Sequence, residues 1–191
     1  MMVRRGGKIL ETVLDSQALN SAVEEMARQI AKNSGRGGFC VVGIKTMGEA
    51  VARQMAEFLS TLTGKPAPLG VLDITLYRDD IGRGNLPQAR ANEMPFSVDA
   101  MDVIIVDDVI STGRTARAAI ESVIDYGRPS RIRLAVIADR GNREFPIQPD
   151  YCSVKVNPGK KRRVTVMIGG NKSGENGVFI CENKEARKRA K

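Results

Sequence analysis

The side chains best suited to chemistry lie in one short stretch of the chain. Two adjacent carboxylates, Asp107 and Asp108, precede a turn of hydroxyls and glycine, Ser111-Thr112-Gly113. Carboxylates can accept hydrogen bonds from sugar hydroxyls and can help to place a hard cation such as Mg2+ on a phosphorylated ligand. A turn of this composition before a helix offers unpaired backbone N–H groups, and the helix dipole favours an anion there. The stretch therefore indicates a site for a phosphorylated sugar.

The flanking residues predict a strand before this site and a helix after it. Val103 to Val106 form an apolar, mostly β-branched run, which is typical of a strand buried on both faces of a parallel sheet. Arg114 begins a helical pattern that continues to about Tyr126. Two acids alone would more simply cap the helix, but the whole string favours a binding site. The string lacks the glycine patterns of a P-loop or a dinucleotide site.

Composition excludes several other classes of site. The chain has no histidine, which excludes His-based acid–base catalysis, His-based metal sites and a Ser-His-Asp triad. No apolar stretch is long enough to span a membrane. The three cysteines are far apart and odd in number, which predicts free thiols in a reducing cytoplasm.

The net charge of +8 is concentrated in two segments. Four basic residues, Lys160, Lys161, Arg162 and Arg163, adjoin one another, and the tail at 184–191 holds five basic residues and one glutamate. Such segments are either solvated surface or contacts for nucleic acid. Both interpretations remain open on charge alone.

Hydrophobic periodicity predicts an α/β domain over residues 1–183, followed by the basic tail. Strands alternating with helices predict a mostly parallel sheet flanked by helices, with ligands bound at the carboxyl ends of the strands. Residues 79–100 have little periodicity and predict a long functional or disordered loop. The predicted strands are 3–14, 39–44, 69–78, 103–106, 133–138, 164–168 and 178–181, and the predicted helices are 16–33, 49–62 and 114–126.

The string from Val103 to Thr115 resembles the thirteen-residue signature of the type I phosphoribosyltransferases, which bind 5-phosphoribosyl 1-diphosphate (PRPP). The resemblance implies that Asp107 and Asp108 hold the ribose hydroxyls, and that Mg2+ acts with them through PRPP. The implied ribose and 5′-phosphate residues are Asp107, Asp108, Val109, Ile110, Ser111, Thr112, Gly113, Arg114 and Thr115. The implied diphosphate loop is Lys45, Thr46, Met47 and Gly48.

Three further segments are similar to the pyrimidine operon attenuator and uracil phosphoribosyltransferase family: GIKTMG, LDITLYRDD and residues 127–151. This resemblance implies conversion of uracil and PRPP to UMP and diphosphate, and control of pyrimidine leader mRNA by uridine nucleotides. It implies a type I phosphoribosyltransferase fold, with a small hood from about 1–14 and 140–183, and a homo-oligomer. Arg78 is the expected catalytic cation at the flexible loop. Asp139, Arg140 and Arg143 are expected near the base, and Lys160 to Arg163 near RNA.

Three departures from the family pattern leave alternatives open. Met47 stands where an arginine is usual, Asn142 stands where a histidine is usual, and the run after Tyr151 differs. Met47 favours a non-catalytic regulator that senses UMP or PRPP and binds RNA. A type I enzyme for orotate or a purine is a third possibility, although LDITLYRDD argues against it.

Overall fold

The computed structural model describes residues 8–34, 38–77, 92–159, 161–168 and 175–183. The strands of these ranges are β1 Ile9–Leu14, β2 Phe39–Ile44, β3 Leu69–Leu72, β4 Asp102–Ile110, β5 Arg131–Asp139, β6 Tyr151–Lys155, β7 Arg162–Met167 and β8 Gly177–Glu182. The helices are α1 Ser16–Asn33, α2 Met47–Thr63 and α3 Arg114–Ile124, with a short 3-10 helix at Thr75–Tyr77. Within the described ranges, no helix is long and apolar enough to cross a membrane.

Five strands form a parallel sheet in the order β3-β2-β4-β5-β6. The predicted α/β architecture is therefore confirmed. β4 occupies the centre of this sheet, so the chain after its carboxyl end lies beside the ends of β2 and β5. This position explains why β4 carries the residues best suited to chemistry.

Side chains of the central strands alternate between two apolar layers. Val41, Ile104 and Ile137 pack with α1 and α2, whereas Val42, Ile105 and Val136 pack with α3. The alternation follows from the two-residue period of a strand. Helices consequently cover both faces of the sheet, as the strand–helix alternation predicted.

Local signals set the ends of the first two helices. The Asp15 side chain accepts a hydrogen bond of 2.8 Å from the backbone N–H of Ala18, which caps α1. Gly64, in the left-handed conformation at φ 68°, ends α2. Both ends agree with the sequence pattern.

A second sheet is antiparallel, in the order β1-β8-β7. Val164, Val166 and Val178 pack from this sheet onto the α1 and α2 layer. The predicted strands at 164–168 and 178–181 correspond to β7 and β8, which pair with each other. β6 lies inside the range 140–183 that we assigned to the hood, yet it pairs with β5 in the central sheet. The location of the second sheet over a base stays a prediction.

Several predicted boundaries are wrong for identifiable reasons. β3 ends at Leu72 and does not reach Arg78, because the Asp73 side chain accepts hydrogen bonds from the N–H and hydroxyl of Thr75 and turns the chain. β4 continues through the acidic pair to Ile110, because Val109 and Ile110 still pair with β5. The sequence analysis missed β6, a half-buried strand at the edge of the sheet with little apolar alternation.

β5 begins at Arg131, and not at Arg133 as predicted, because both arginines pair with buried Asp102 on β4. Arg133 also donates to the Tyr151 hydroxyl. Burial of Asp102 and Arg133 is tolerated because each charge has a partner of opposite sign.

Candidate active site

The acidic pair lies near the carboxyl end of β4. Asp107 and Asp108 are half-buried, unlike the fully buried residues 102–106. Asp107 accepts a hydrogen bond of 2.9 Å from the N–H of Asp108, and Asp108 accepts one of 2.9 Å from the N–H of Val109. Burial raises the pKa of Asp108, although the hydrogen bonds from Asp107 and from backbone N–H groups act to lower it. The pair is thus held in place while its oxygens line a cleft.

Gly48 brings the beginning of α2 directly against this pair. A β-carbon at Gly48 would lie 2.6 Å from the carbonyl oxygen of Val106. Glycine is therefore required for this approach. The loop at 45–47 consequently adjoins the acidic pair, as the resemblance implied.

The resulting cleft has a volume of about 270 Å³. Its walls come from the carboxyl ends of three neighbouring strands and the beginning of α3. The lining residues are Ile44, Lys45, Thr46, Met47, Asp73, Ile74, Thr75, Asp107, Asp108, Val109 and Thr115. Sequence reasoning missed Asp73, Ile74 and Thr75 as parts of the site. Their position directly after β3, at the same edge of the sheet, was the signal that could have identified them.

The predicted phosphate turn adjoins this cleft. Gly113 takes the left-handed conformation at φ 91° and precedes the first residue of α3. A smaller cavity of about 90 Å³ is lined by Asp107, Val109, Ile110, Ser111, Thr112, Gly113, Thr115, Ala116, Leu134 and Val136. Eight of the nine predicted ribose and phosphate residues therefore line one of the two cavities, and Arg114 lines neither.

Asp139 and Arg143, which we expected near the base, bind each other. Arg143 donates a hydrogen bond of 2.7 Å to Asp139 and one of 2.7 Å to the carbonyl oxygen of Ser111. Burial acts to raise the pKa of Asp139, but hydrogen bonds from Arg143 and the Gly141 N–H outweigh it and hold the pKa below its usual value. Arg143 thus supports the turn at Ser111–Gly113, and Asp139 holds Arg143 in place.

Arg140 joins β4 to the second sheet. Its backbone N–H donates to the carbonyl oxygen of Ile110 at 2.9 Å, and its guanidinium donates to that of Arg162 at 3.4 Å. On β7, Arg162 is exposed and Arg163 half-buried, and Lys161 before the strand is exposed. Arg78, Lys160, residues 79–91 of the predicted loop and the tail at 184–191 lie outside the described residues.

The comparisons with known proteins agree with this geometry. The family model described as the phosphoribosyl transferase domain matches residues 10–166. The bifunctional protein PyrR of Roseiflexus sp. (strain RS-1) is 41% identical over 170 residues, which cover 88% of this chain and 93% of that protein. The chain belongs to the PyrR-like type I phosphoribosyltransferases. This identification confirms the family resemblance of the sequence.

Other PyrR proteins match with similar coverage. The bifunctional protein PyrR of Thermus thermophilus is 41% identical over 176 residues, which cover 91% of this chain and 97% of that protein. The bifunctional protein PyrR of Syntrophobacter fumaroxidans is 39% identical, over 98% of this chain and all of that protein. The PyrR-like match therefore extends across both sheets.

Solved structures confirm the fold of this PyrR-like phosphoribosyltransferase. A hypoxanthine phosphoribosyltransferase of Staphylococcus aureus superposes with a TM-score of 0.68 at 16% identity, over 93% of this chain and 95% of that one. The hypoxanthine phosphoribosyl transferase of Trypanosoma cruzi gives a TM-score of 0.69 at 16% identity, over 98% of this chain and all of that one. At such identities the likeness shows the fold alone.

Proposed function

We propose that this chain transfers the ribose phosphate of PRPP to uracil, forming UMP and diphosphate. We also propose that it binds pyrimidine leader mRNA in response to uridine nucleotides. The observation that carries the enzymatic proposal is the meeting of three elements at one edge of the sheet: the acidic pair, the loop at 45–48 and the turn at 111–113. In this proposal they bind the ribose, the diphosphate and the 5′-phosphate of PRPP, respectively.

The proposed reaction needs no protein nucleophile. Positive charge develops at the anomeric carbon as diphosphate leaves, and a uracil nitrogen attacks that carbon. Positioning and electrostatic stabilisation therefore supply the catalysis. Asp107 and Asp108 would hold the ribose hydroxyls and fix the anomeric carbon between leaving group and base. Arg78 stays our candidate for a cation that closes on the diphosphate.

The cleft is suited to Mg2+ held jointly with PRPP. Asp107 and Asp108 present carboxylate oxygens, which are the ligands this hard cation prefers. Within the described ranges, no group of three His, Cys, Asp or Glu side chains could hold a metal on its own. In this proposal the diphosphate supplies further ligands. When bound, Mg2+ would neutralise charge on the leaving diphosphate.

Met47 supports a second candidate, a sensor that binds UMP or PRPP without turnover. Met47 lines the cleft at the first residue of α2, on the wall that we assign to the diphosphate. A thioether cannot hold phosphate oxygens as a guanidinium does. We therefore expect weak catalysis. If turnover were lost completely, the protein would act only as a sensor.

The RNA proposal rests on charge and family. Lys161 and Arg162 are exposed at the beginning of β7, which is an edge strand of the second sheet. Together with Lys160, Arg163 and the tail at 184–191, they would contact phosphates of the transcript. A homo-oligomer would gather several such segments on one face. The free thiols of Cys40, Cys152 and Cys181 favour a cytoplasmic location.

A coupled assay tests the enzymatic proposal and the choice of base together. Uracil, orotate, hypoxanthine and guanine are each supplied with PRPP and Mg2+, and diphosphate release is followed. We expect turnover with uracil alone. Turnover with another base would assign a different type I enzyme, and PRPP binding without any turnover would favour the sensor.

A further inference from the structure

The turn at Ser111–Gly113 is supported from behind by residues 143–147, which we call the brace. The carbonyl oxygen of Thr112 accepts hydrogen bonds from the N–H groups of Glu144 and Phe145, at 2.9 and 3.0 Å. The carbonyl oxygen of Ser111 accepts one from Arg143 at 2.7 Å. The brace therefore occupies the carbonyl groups of two consecutive residues of the turn.

These contacts also determine the direction in which the N–H groups of the turn point. In a planar trans peptide the C=O of one residue and the N–H of the next point in opposite directions. Because the carbonyls of Ser111 and Thr112 point at the brace, the N–H groups of Thr112 and Gly113 point away from it. Two N–H donors on one side of a turn before a helix suit an anion.

Side chains hold the brace to the first residue of α3. Arg114 forms an ion pair of 2.6 Å with Glu144, and its guanidinium lies 5.2 Å from the centre of the Phe145 ring. A second guanidinium, that of Arg117, lies 5.6 Å from the same ring. A β-carbon at Gly113 would lie 3.2 Å from that of Phe145. Arg114 thus contacts the brace, although its sequence position suggested a phosphate ligand.

We propose that Glu144 and Phe145 are positioning residues for the 5′-phosphate of UMP and PRPP. They hold the turn so that the N–H groups of Thr112 and Gly113 face the phosphate. Arg114 acts through them and does not bind the phosphate itself. This inference rests on the proposed function, because it assumes a 5′-phosphate at the turn.

Glu144→Gln distinguishes positioning from simple electrostatics by the sign of its effect. Removing a negative charge near an anion site would tighten phosphate binding through Coulomb forces alone. Loss of the ion pair to Arg114 would instead loosen the turn. We expect the Kd of UMP to rise about threefold to fivefold, as for loss of a partly exposed ion pair. The Kd of uridine, which lacks the phosphate, should not change.

Phe145 supplies a second, independent variant. Phe145→Ala removes the ring between two guanidinium groups and should raise the Kd of UMP about tenfold. Phe145→Leu keeps bulk against Gly113 and should recover part of this loss. In steady state the KM for PRPP should rise in each variant, while the KM for uracil stays at the parent value.

Glu24→Gln is the matched control, because it breaks an exposed Glu–Arg pair on α1, outside both cavities. Titration calorimetry with UMP and uridine, alongside thermal unfolding, gives the result. Unchanged or tighter UMP binding by Glu144→Gln would overturn this inference but leave the proposed function standing. Equal losses of affinity for UMP and for uridine would do the same. Failure of the parent protein to bind either UMP or PRPP would overturn the proposed function and this inference together.

Discussion

Gly48 lies against Asp107 so closely that a β-carbon at Gly48 would be 3.0 Å from the Cα atom of Asp107 and 3.2 Å from its Oδ1. This contact joins the beginning of α2 to β4 near its carboxyl end. It places the loop proposed to bind diphosphate beside the acids proposed to bind ribose. The two parts of the candidate PRPP site should therefore respond together to a change at Gly48.

Gly48→Ala should damage PRPP binding more than stability. Inserting one methyl group into a packed contact costs about 1–3 kcal/mol, here through a shift of α2 away from β4. We expect a higher KM for PRPP, measured by steady-state kinetics, and an unchanged KM for uracil. Thr61→Ala, on the exposed last turn of α2, is the control for effects on the helix itself. Equal KM values for PRPP in Gly48→Ala and the control would contradict this view of the contact.

Met47→Arg should raise uracil phosphoribosyltransferase activity. Met47 lines the cleft, and a guanidinium there could hold diphosphate oxygens bidentately. Steady-state rates with uracil and PRPP give the comparison with the parent. A parent activity that Met47→Arg lowers would show that our view of this loop is mistaken, and no activity in either protein would favour the sensor.

The Asp102–Arg133 pair should make the free energy of unfolding depend on pH in the acidic range. Burial acts to raise the pKa of Asp102, but hydrogen bonds from Arg131 and Arg133 outweigh it and hold the pKa below its ordinary value. Because the folded pKa is lower, this stability is present above the unfolded pKa of about 3.9 and is lost as the pH falls towards the folded pKa.

The measurement is urea unfolding at pH 7 and at pH values below about 4. Asp102→Asn should lose about 3–5 kcal/mol at pH 7, because it leaves Arg133 buried without its charge partner. The free energy of unfolding of this variant should also change less between these pH values than that of the parent. Arg131→Ala, which removes the more exposed partner, is a milder variant in case the first does not fold. A parent and an Asp102→Asn protein with identical acid dependence would disprove the assignment.

RNA binding should depend on salt through the basic segments. If four basic side chains contact phosphates, the slope of log affinity against log salt should be about −3. Deleting residues 184–191 should flatten the slope without changing PRPP binding, and so should alanine at Lys160 to Arg163. A gel-shift titration with a pyrimidine leader transcript, with and without UMP, measures both effects. Binding that ignores UMP and both segments would leave only a salvage enzyme.

The sequence alone predicted those parts of the molecule that local patterns determine. Continuous apolar runs identified β2 and β4, and helical spacing identified the buried face of α1. The composition of the turn identified Ser111–Gly113, because hydroxyl side chains and glycine before a helix are typical of an anion-binding turn. The chemistry of the cleft could therefore be anticipated before its geometry was known.

The remainder depends on contacts that the local sequence pattern does not determine. Buried Arg133 could not be predicted without Asp102 and Tyr151 beside it. Asp139 and Arg143 pair with each other, and both side chains are largely buried. Their positions in the sequence did not indicate this pairing and suggested only that both residues lie near the base. β6 lies at the edge of the sheet, where half-burial weakens the apolar pattern.

The most direct test of the account is calorimetric titration of UMP and PRPP into the parent, Asp107→Asn and Asp108→Asn. A hydrogen bond to a charged group is worth about 1.5–3 kcal/mol, so each variant should bind roughly ten- to a hundredfold more weakly than the parent. Glu57→Gln, an exposed carboxylate on α2, is the control and should bind as the parent does. Parent-like binding of both ligands by both aspartate variants would contradict the assignment of this cleft to the ribose of PRPP.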